Sequence, residues 1–233
     1  MKVAIMQPYW FPYIGYFQLI HAVDTFVIYD NIEYTKKGWI NRNRILVNGE
    51  AAFLSVPLKK DSDFLNVDQR YLSETYSKDK MKLLSKIKES YQKAPQFQTV
   101  FPLVESILNR NEGNLFDFIH HSIQVICGYL DIKTNIVVSS TISIDHNLKA
   151  QDKVIAIAKN LSATQYINAI GGVELYSKET FEAHNLQLHF IKSNVIEYQQ
   201  FDNDFIPWLS VIDVMMFNSK EKIQELLSNV TFQ

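Results

Sequence analysis

Four cations fall within the nine residues Lys36-Lys37-Gly38-Trp39-Ile40-Asn41-Arg42-Asn43-Arg44. Arginine offers a flat two-pronged donor and lysine a compact point charge, so the set suits a phosphate or a carboxylate. On a strand, Asn41 and Asn43 face one side while Arg42 and Arg44 face the other. Lys37 and Arg42 are read as catalytic cations, and Lys36, Trp39, Asn41 and Arg44 as binding residues. The competing reading is a solvated edge strand kept from aggregating by its charges. Asp30 stands just before this segment, where a carboxylate can orient a ribose, a metal or an arginine, or simply close a strand through an Asx turn.

A second group lies at Met6 to Ile20, MQPYWFPYIGYFQLI. Gln7, Pro8, Tyr9, Tyr13, Gly15 and Tyr16 are candidate binding residues, the tyrosines by stacking on sugar or base. Aromatic packing is the plainer account. Gly171-Gly172, within NAIGGVELY, permits close ligand approach or an ordinary turn. Ser139-Ser140-Thr141 can hold a phosphate or cap a turn. The six histidines show no metal-ligand spacing, and no Walker loop, G-x-G-x-x-G or G-x-S-x-G occurs.

These residues need elements to position them. Lys2 to Met6 reads as a buried parallel strand, Tyr13 to Val23 as a helix, and Thr25 to Tyr29 as a second strand, together a right-handed βαβ unit. Ile40 to Val47 and Ala51 to Leu58 flank Asn48-Gly49, a hairpin signal; the hairpin either joins the sheet or covers its mouth. Ser77 to Tyr91, Pro95 to Asn109 and Leu115 to Leu130 read as three helices, an insertion of roughly 75–131. Strand Asn135 to Val138, helix Ala150 to Leu161, strands Gln165 to Asn168 and Leu186 to Ile191, and a helical region from about Leu209 to Leu227 complete the chain. Ser210 is a candidate N-cap with Asp213 three residues on. The expectation is one α/β domain over 1–233: a nucleotidyltransferase-like (HUP/Rossmann-like) parallel sheet with helices on both faces, a β-hairpin after strand 2 and a helical insertion. In such sheets ligands bind beyond the carboxyl ends of the strands. The tyrosine-rich bend and the cationic segment should therefore converge on one cavity.

Bulk composition excludes several classes. Apolar residues make up 47% of the 233, charged residues 21%, and the net charge is -2. That balance lacks the basic face of a dedicated nucleic-acid binder. No apolar run approaches the roughly 20 residues of a membrane span. The N-terminus reads as a strand and not as a signal peptide, and the lone Cys127 excludes internal disulfides. A cytoplasmic location is the expectation, with Cys127 in the core.

Tyr13-Ile14-Gly15-Tyr16 is similar in spacing to the H-x-G-H sequence of nucleotidyl-transferring α/β enzymes, with tyrosine at both histidine positions. A tyrosine hydroxyl donates to phosphate but is uncharged near neutrality. More broadly, the chain resembles the WbqC-like protein family of bacteria. The likeness rests on MQPYWFPYIGYFQLI, FVIYDNIEYTKKGWINRNRI, QDKVIAIAKNL leading into YINAIGGVELY, and PWLSVIDVMMFN. Members often belong to gene sets for O-antigen and other surface polysaccharides, and some are labelled glycine transferases. The resemblance thus implies an enzyme that transfers an aminoacyl or acyl group to an amino sugar, nucleotide-linked, as its small-molecule substrate. A distant similarity to pantothenate synthetase implies ATP activation of a carboxylate. The alternatives are a nucleotidyltransferase acting on a sugar phosphate with Mg²⁺ at Asp30, and a non-catalytic binding protein with a degenerate nucleotide site. Oligomeric state and metal requirement are not legible in the sequence.

Overall fold

A computed structural model describes residues 1–202 and 204–233. Its centre is a six-stranded sheet built from β1 (Lys2–Met6), β2 (Thr25–Ile28), β5 (Asn135–Val138), β6 (Gln165–Ala169), β7 (Gln187–Ser193) and β8 (Val230–Phe232), in the order β5-β2-β1-β6-β7-β8. The first five are parallel and β8 is antiparallel to β7. Counted as the chain enters the sheet, the order is 3-2-1-4-5-6, the doubly wound arrangement. Val3, Ala4 and Ile5 of β1 and Phe26, Val27 and Ile28 of β2 are buried, as expected for strands covered on both faces.

Two cores result. One face of the sheet shares a continuous apolar core with α1 (Ile14–His21), which lies on β6 and β7, and with the inserted helices α2 (Tyr76–Tyr91), α3 (Phe97–Leu108) and α4 (Leu115–Tyr129) and the closing helices α7 (Val211–Phe217) and α8 (Lys220–Leu227). The other face packs against α5 (Ala150–Asn160) and α6 (Lys178–Ala183), through Val154, Ile157 and Phe181. The expected fold class is what the chain adopts, an α/β sheet with helices on both faces that fits a Rossmann-like fold. Differences are local. The closing helical region is two helices broken at Asn218 and Ser219, where Ser219 caps α8. The short α6 and β8 carry too few residues to show a period.

The hairpin β3 (Arg42–Val47) and β4 (Glu50–Ser55) forms its own two-stranded sheet. Asn48 and Gly49 turn it with φ of 51° and 80°, the left-handed pair a type I′ turn requires. It sits beside the bend after β1: the Trp10 amide donates to the carbonyls of Trp39 at 3.3 Å and Ile40 at 3.2 Å. The hairpin thus flanks the sheet's mouth without extending the sheet.

Candidate functional site

β1 and β6 are where the strand order reverses. They pair only through Lys2 with Gln165 and Val3 with Tyr166, so their carboxyl halves are not hydrogen-bonded to each other. A cavity of about 1030 Å³ opens there, beyond the carboxyl ends of the strands. Met6 and Gln7 after β1, Tyr29 and Asn31 after β2, Asn168 and Ala169 at the end of β6, and Asn147 to Ala150 with Lys153 at the start of α5 line it. This is the crevice in which doubly wound sheets take ligands.

Of the residues singled out by sequence, Gln7, Tyr9, Trp39, Gly171 and Gly172 line the cavity. The tyrosine bend and the cationic segment abut, but the expected convergence of the cations on the cavity does not occur, and the remainder of both is engaged elsewhere. Pro8 is buried. Trp10 and Phe11 are 0% and 1% exposed and fill the core. Tyr16 is buried and its hydroxyl donates to the Gln7 carbonyl at 2.9 Å, tying the helix start to the strand end; burial holds its ionisation well above the usual tyrosine range. Tyr13 packs on Trp208 with ring centroids 5.1 Å apart. A Cβ on Gly15 would stand 3.2 Å from the Tyr13 ring, so glycine there accommodates that ring.

The cations satisfy backbone groups and rings. Arg42 donates from Nε to the Gly38 carbonyl at 3.1 Å and from Nη2 to the Lys37 carbonyl, and lies 4.4 Å from the Phe53 centroid. Arg44 donates to the Trp208 carbonyl at 3.2 Å and lies over Trp39 at 5.7 Å. Lys36 pairs with Asp63 at 3.0 Å on the surface, and Lys37 is exposed with φ of 62°. Asn41 joins the Tyr34 hydroxyl and the Val56 carbonyl, both at 2.8 Å. None of these five lines the cavity.

Asp30 is 4% exposed and closes a strand end. Its Oδ1 accepts from the Ser139 hydroxyl at 2.8 Å and the Ser140 amide at 3.0 Å, clamping the short turn Ser139–Thr141 after β5 to the end of β2. Ser139 also lies 2.7 Å from Asn31 Oδ1, which Lys153 Nζ approaches at 3.4 Å. With donors around its oxygen, the Asn31 carboxamide turns its NH₂ to His146 Nδ1, 2.9 Å away. His146 therefore carries its proton on Nε2 and gives it to the Ile142 carbonyl at 3.0 Å. The imidazole has both nitrogens occupied and holds the loop before α5.

That loop sets the cavity's charge. Ala150 opens α5 with φ of 44°, a strained value for a residue bearing Cβ. No side chain caps the helix, so its first amides are left for solvent or a ligand. Lys153, one turn in, is 8% exposed and forms no ion pair within 4.0 Å among the described residues. Its ammonium lies 5.4 Å from the Tyr29 ring centroid. Burial, then Lys149, lowers its ionisation below the usual lysine range, and Asp30 partly offsets both. Asn168, 6% exposed, shares a face of β6 with the buried Tyr166 of the second core; its side chain has no hydrogen-bond partner among the described residues.

Sequence reasoning gave no site role to Tyr29, His146, Lys149 or Lys153. His146 shows no metal-ligand spacing, and Lys153 is a lysine within a helical pattern. The available signal was the segment Asp145 to Lys149 itself, a polar connector after the third parallel strand.

The fold and the cavity define an α/β protein that fits a Rossmann-like fold, with an open crevice at its switch point. A model of the WbqC-like protein family matches residues 7–225, and the chain belongs to that family. It is also 27% identical over 223 residues to uncharacterized protein Rv1507c of Mycobacterium tuberculosis, covering 93% of each chain. No solved structure gives a significant match. No helix among the described residues is long and apolar enough to cross a membrane.

Proposed function

We propose that this protein is a transferase that moves an aminoacyl group, glycyl in the simplest case, or an acyl group onto the amine of a nucleotide-linked amino sugar during bacterial surface-polysaccharide synthesis. The carrying observation is the switch-point cavity of about 1030 Å³, the upper end of the range for small-molecule sites and large enough for a nucleotide sugar. Its walls offer ring faces from Tyr9 and Trp39, the amides of Gln7 and Asn168, and the ammonium of Lys153. Together these suit a ligand with a flat face, hydroxyls and negative charge.

In the ATP-driven version, a carboxylate oxygen of the donor attacks the α-phosphorus of ATP and pyrophosphate leaves. The sugar amine then attacks the acyl carbon, AMP leaves, and the ammonium proton passes to solvent. Fixed positive groups would stabilise the charge that develops on phosphate in both steps. Asp30 has a scaffold role here, because its carboxylate joins two strand ends. Nucleotidyl transfer has less support for the same reason: the carboxylate best placed by sequence to hold Mg²⁺ is buried and bonded to Ser139 and Ser140.

Incubation with ATP, glycine and a nucleotide-linked amino sugar tests the reading. AMP release that requires both co-substrates supports it. Pyrophosphate release from an NTP and a sugar phosphate supports nucleotidyl transfer instead. Tight binding without turnover in either assay identifies a binding protein and refutes the transferase.

A further inference from the structure

We propose that the start of α5 is an anion seat, in which Lys153, Lys149 and the first-turn amides hold a phosphate of the bound nucleotide while Asn168 contacts the same ligand from the end of β6. The inference deepens the reading above and rests on the cavity being the ligand site. It places the phosphate away from both the α1 start and the cationic hairpin.

Three observations converge. First, a buried charge is costly unless paired, yet Lys153 is 8% exposed and has no carboxylate within 4.0 Å among the described residues. Its contacts are the long one to Asn31 Oδ1 at 3.4 Å and the Tyr29 ring. A ligand anion would supply the missing counter-charge. Second, Asn168 is 6% exposed, lines the cavity and has no hydrogen-bond partner among the described residues. Its amide is therefore free to bond a ligand in the cavity without giving up a protein partner. Third, α5 spans eleven residues, and its uncapped N-terminus lines the cavity with positive dipole and free N–H groups.

The surrounding charges agree with this assignment. Lys149 stands at the helix start, and the nearby acids are each turned to other work or to solvent. Asp30 is bonded to Ser139 and Ser140, while Glu33 on the cavity wall and Asp152 in the first turn are exposed. Two lysines and a helix terminus suit a phosphate better than a single carboxylate. Burial and Lys149 lower the ionisation of Lys153, and a bound anion beside it would act in the opposite direction.

The test is calorimetric titration of AMP and of inorganic pyrophosphate into the full chain and into Lys153→Met, Lys149→Ala and the double variant Arg42→Ala/Arg44→Ala. The seat predicts that wild-type protein binds both probes, that Lys153→Met weakens AMP at least tenfold, and that Lys149→Ala weakens it severalfold. It further predicts that Lys153→Met without ligand melts no lower than wild type, because an unpaired buried ammonium has been removed. No binding of either probe at millimolar concentration overturns it. So does equal binding by Lys153→Met, or loss of binding only in the arginine pair. The AMP-release assay separates the two claims. Lys153-dependent binding without turnover leaves the seat and removes the transferase; turnover unaffected by Lys153→Met does the reverse.

Discussion

Adjacent glycines at the cavity wall should respond to alanine with opposite sign. A Cβ on Gly172 would lie 2.2 Å from Nδ2 and 3.2 Å from Cγ of Asn168, and 3.5 Å from the Tyr176 ring. One on Gly171 meets nothing within 4 Å. Neither glycine has left-handed backbone, so conformation alone permits alanine at both. For Gly171→Ala the remaining effect is the lower entropy of the unfolded chain, a gain of about 0.4–1 kcal/mol. For Gly172→Ala the methyl must displace a side chain that is 6% exposed, an overpacking cost of about 1–3 kcal/mol. In a chain of this size each kcal/mol moves the melting temperature by about 2–4 °C. Thermal melts followed by circular dichroism should therefore place Gly172→Ala below wild type by about 2 to 12 °C, and Gly171→Ala at or above it. Relief by swinging Asn168 into the cavity would soften the thermal loss but remove one ligand hydrogen bond, weakening AMP about 2- to 13-fold. A Gly172→Ala protein that melts with Gly171→Ala and binds AMP as wild type does would refute the packing argument and the ligand-facing role of Asn168 together.

Other parts of the molecule give sharp expectations. Asp213 is fully buried and accepts from Tyr91 at 2.8 Å and from Tyr198 and Gln200 at 2.7 Å; Asp213→Ala removes the acceptor of both tyrosine hydroxyls and should cost about 3 kcal/mol by urea denaturation, and a loss under 1 kcal/mol would show the network to be incidental. Tyr16, Tyr91 and Tyr166 are buried with ionisation held well above the usual range by desolvation. Above pH of about 10 the unfolded chain releases these protons while the folded one keeps them, so stability falls as pH rises, by about 4 kcal/mol at pH 11 for the three; a flat denaturation midpoint from pH 9 to 11 contradicts this. Cys127 is 5% exposed and burial pushes its thiol up to about 12, so a thiol reagent at pH 8 should label it only on unfolding, and rapid stoichiometric labelling of native protein would be inconsistent with the core described.

The strands and the larger helices were legible because each has a physical period that its own residues state. The buried run Val3-Ala4-Ile5, the Asn-Gly turn and the helical stripes of α2 to α4 need no distant partner to be recognised. Asp213 shows where local reading stops. Three residues after Ser210 it has the spacing of a capping carboxylate, yet Ser210 accepts the Ile212 amide alone and Asp213 serves donors from α2 and from the segment before α7. Arg42 and Arg44 show the same limit. A cation's partner is set by tertiary structure, and here the nearest unsatisfied groups are the carbonyls of Lys37, Gly38 and Trp208. Lys153 is the converse, a lysine on an amphipathic helix that the fold turns inward, beside the Tyr29 ring and onto the cavity wall.

A doubly wound sheet presents helix N-termini on both faces at the same strand edge, so a crevice at the switch point can recruit a helix from either side. In this chain the α1 side is closed by its own sequence. Tyr16 joins the helix start to the Gln7 carbonyl, Tyr13 covers Gly15, and Trp10 and Phe11 occupy the space beneath the bend. The phenols there are uncharged near neutrality and fill volume, Tyr13 against Trp208 and Tyr16 against Phe17 and Phe26. The opposite side keeps an uncapped helix, a buried ammonium and an unbonded amide around one open volume. Aromatic enrichment after the first strand thus marks the wall that shapes the cavity, while the groups able to neutralise a ligand's charge come from the connector after β5.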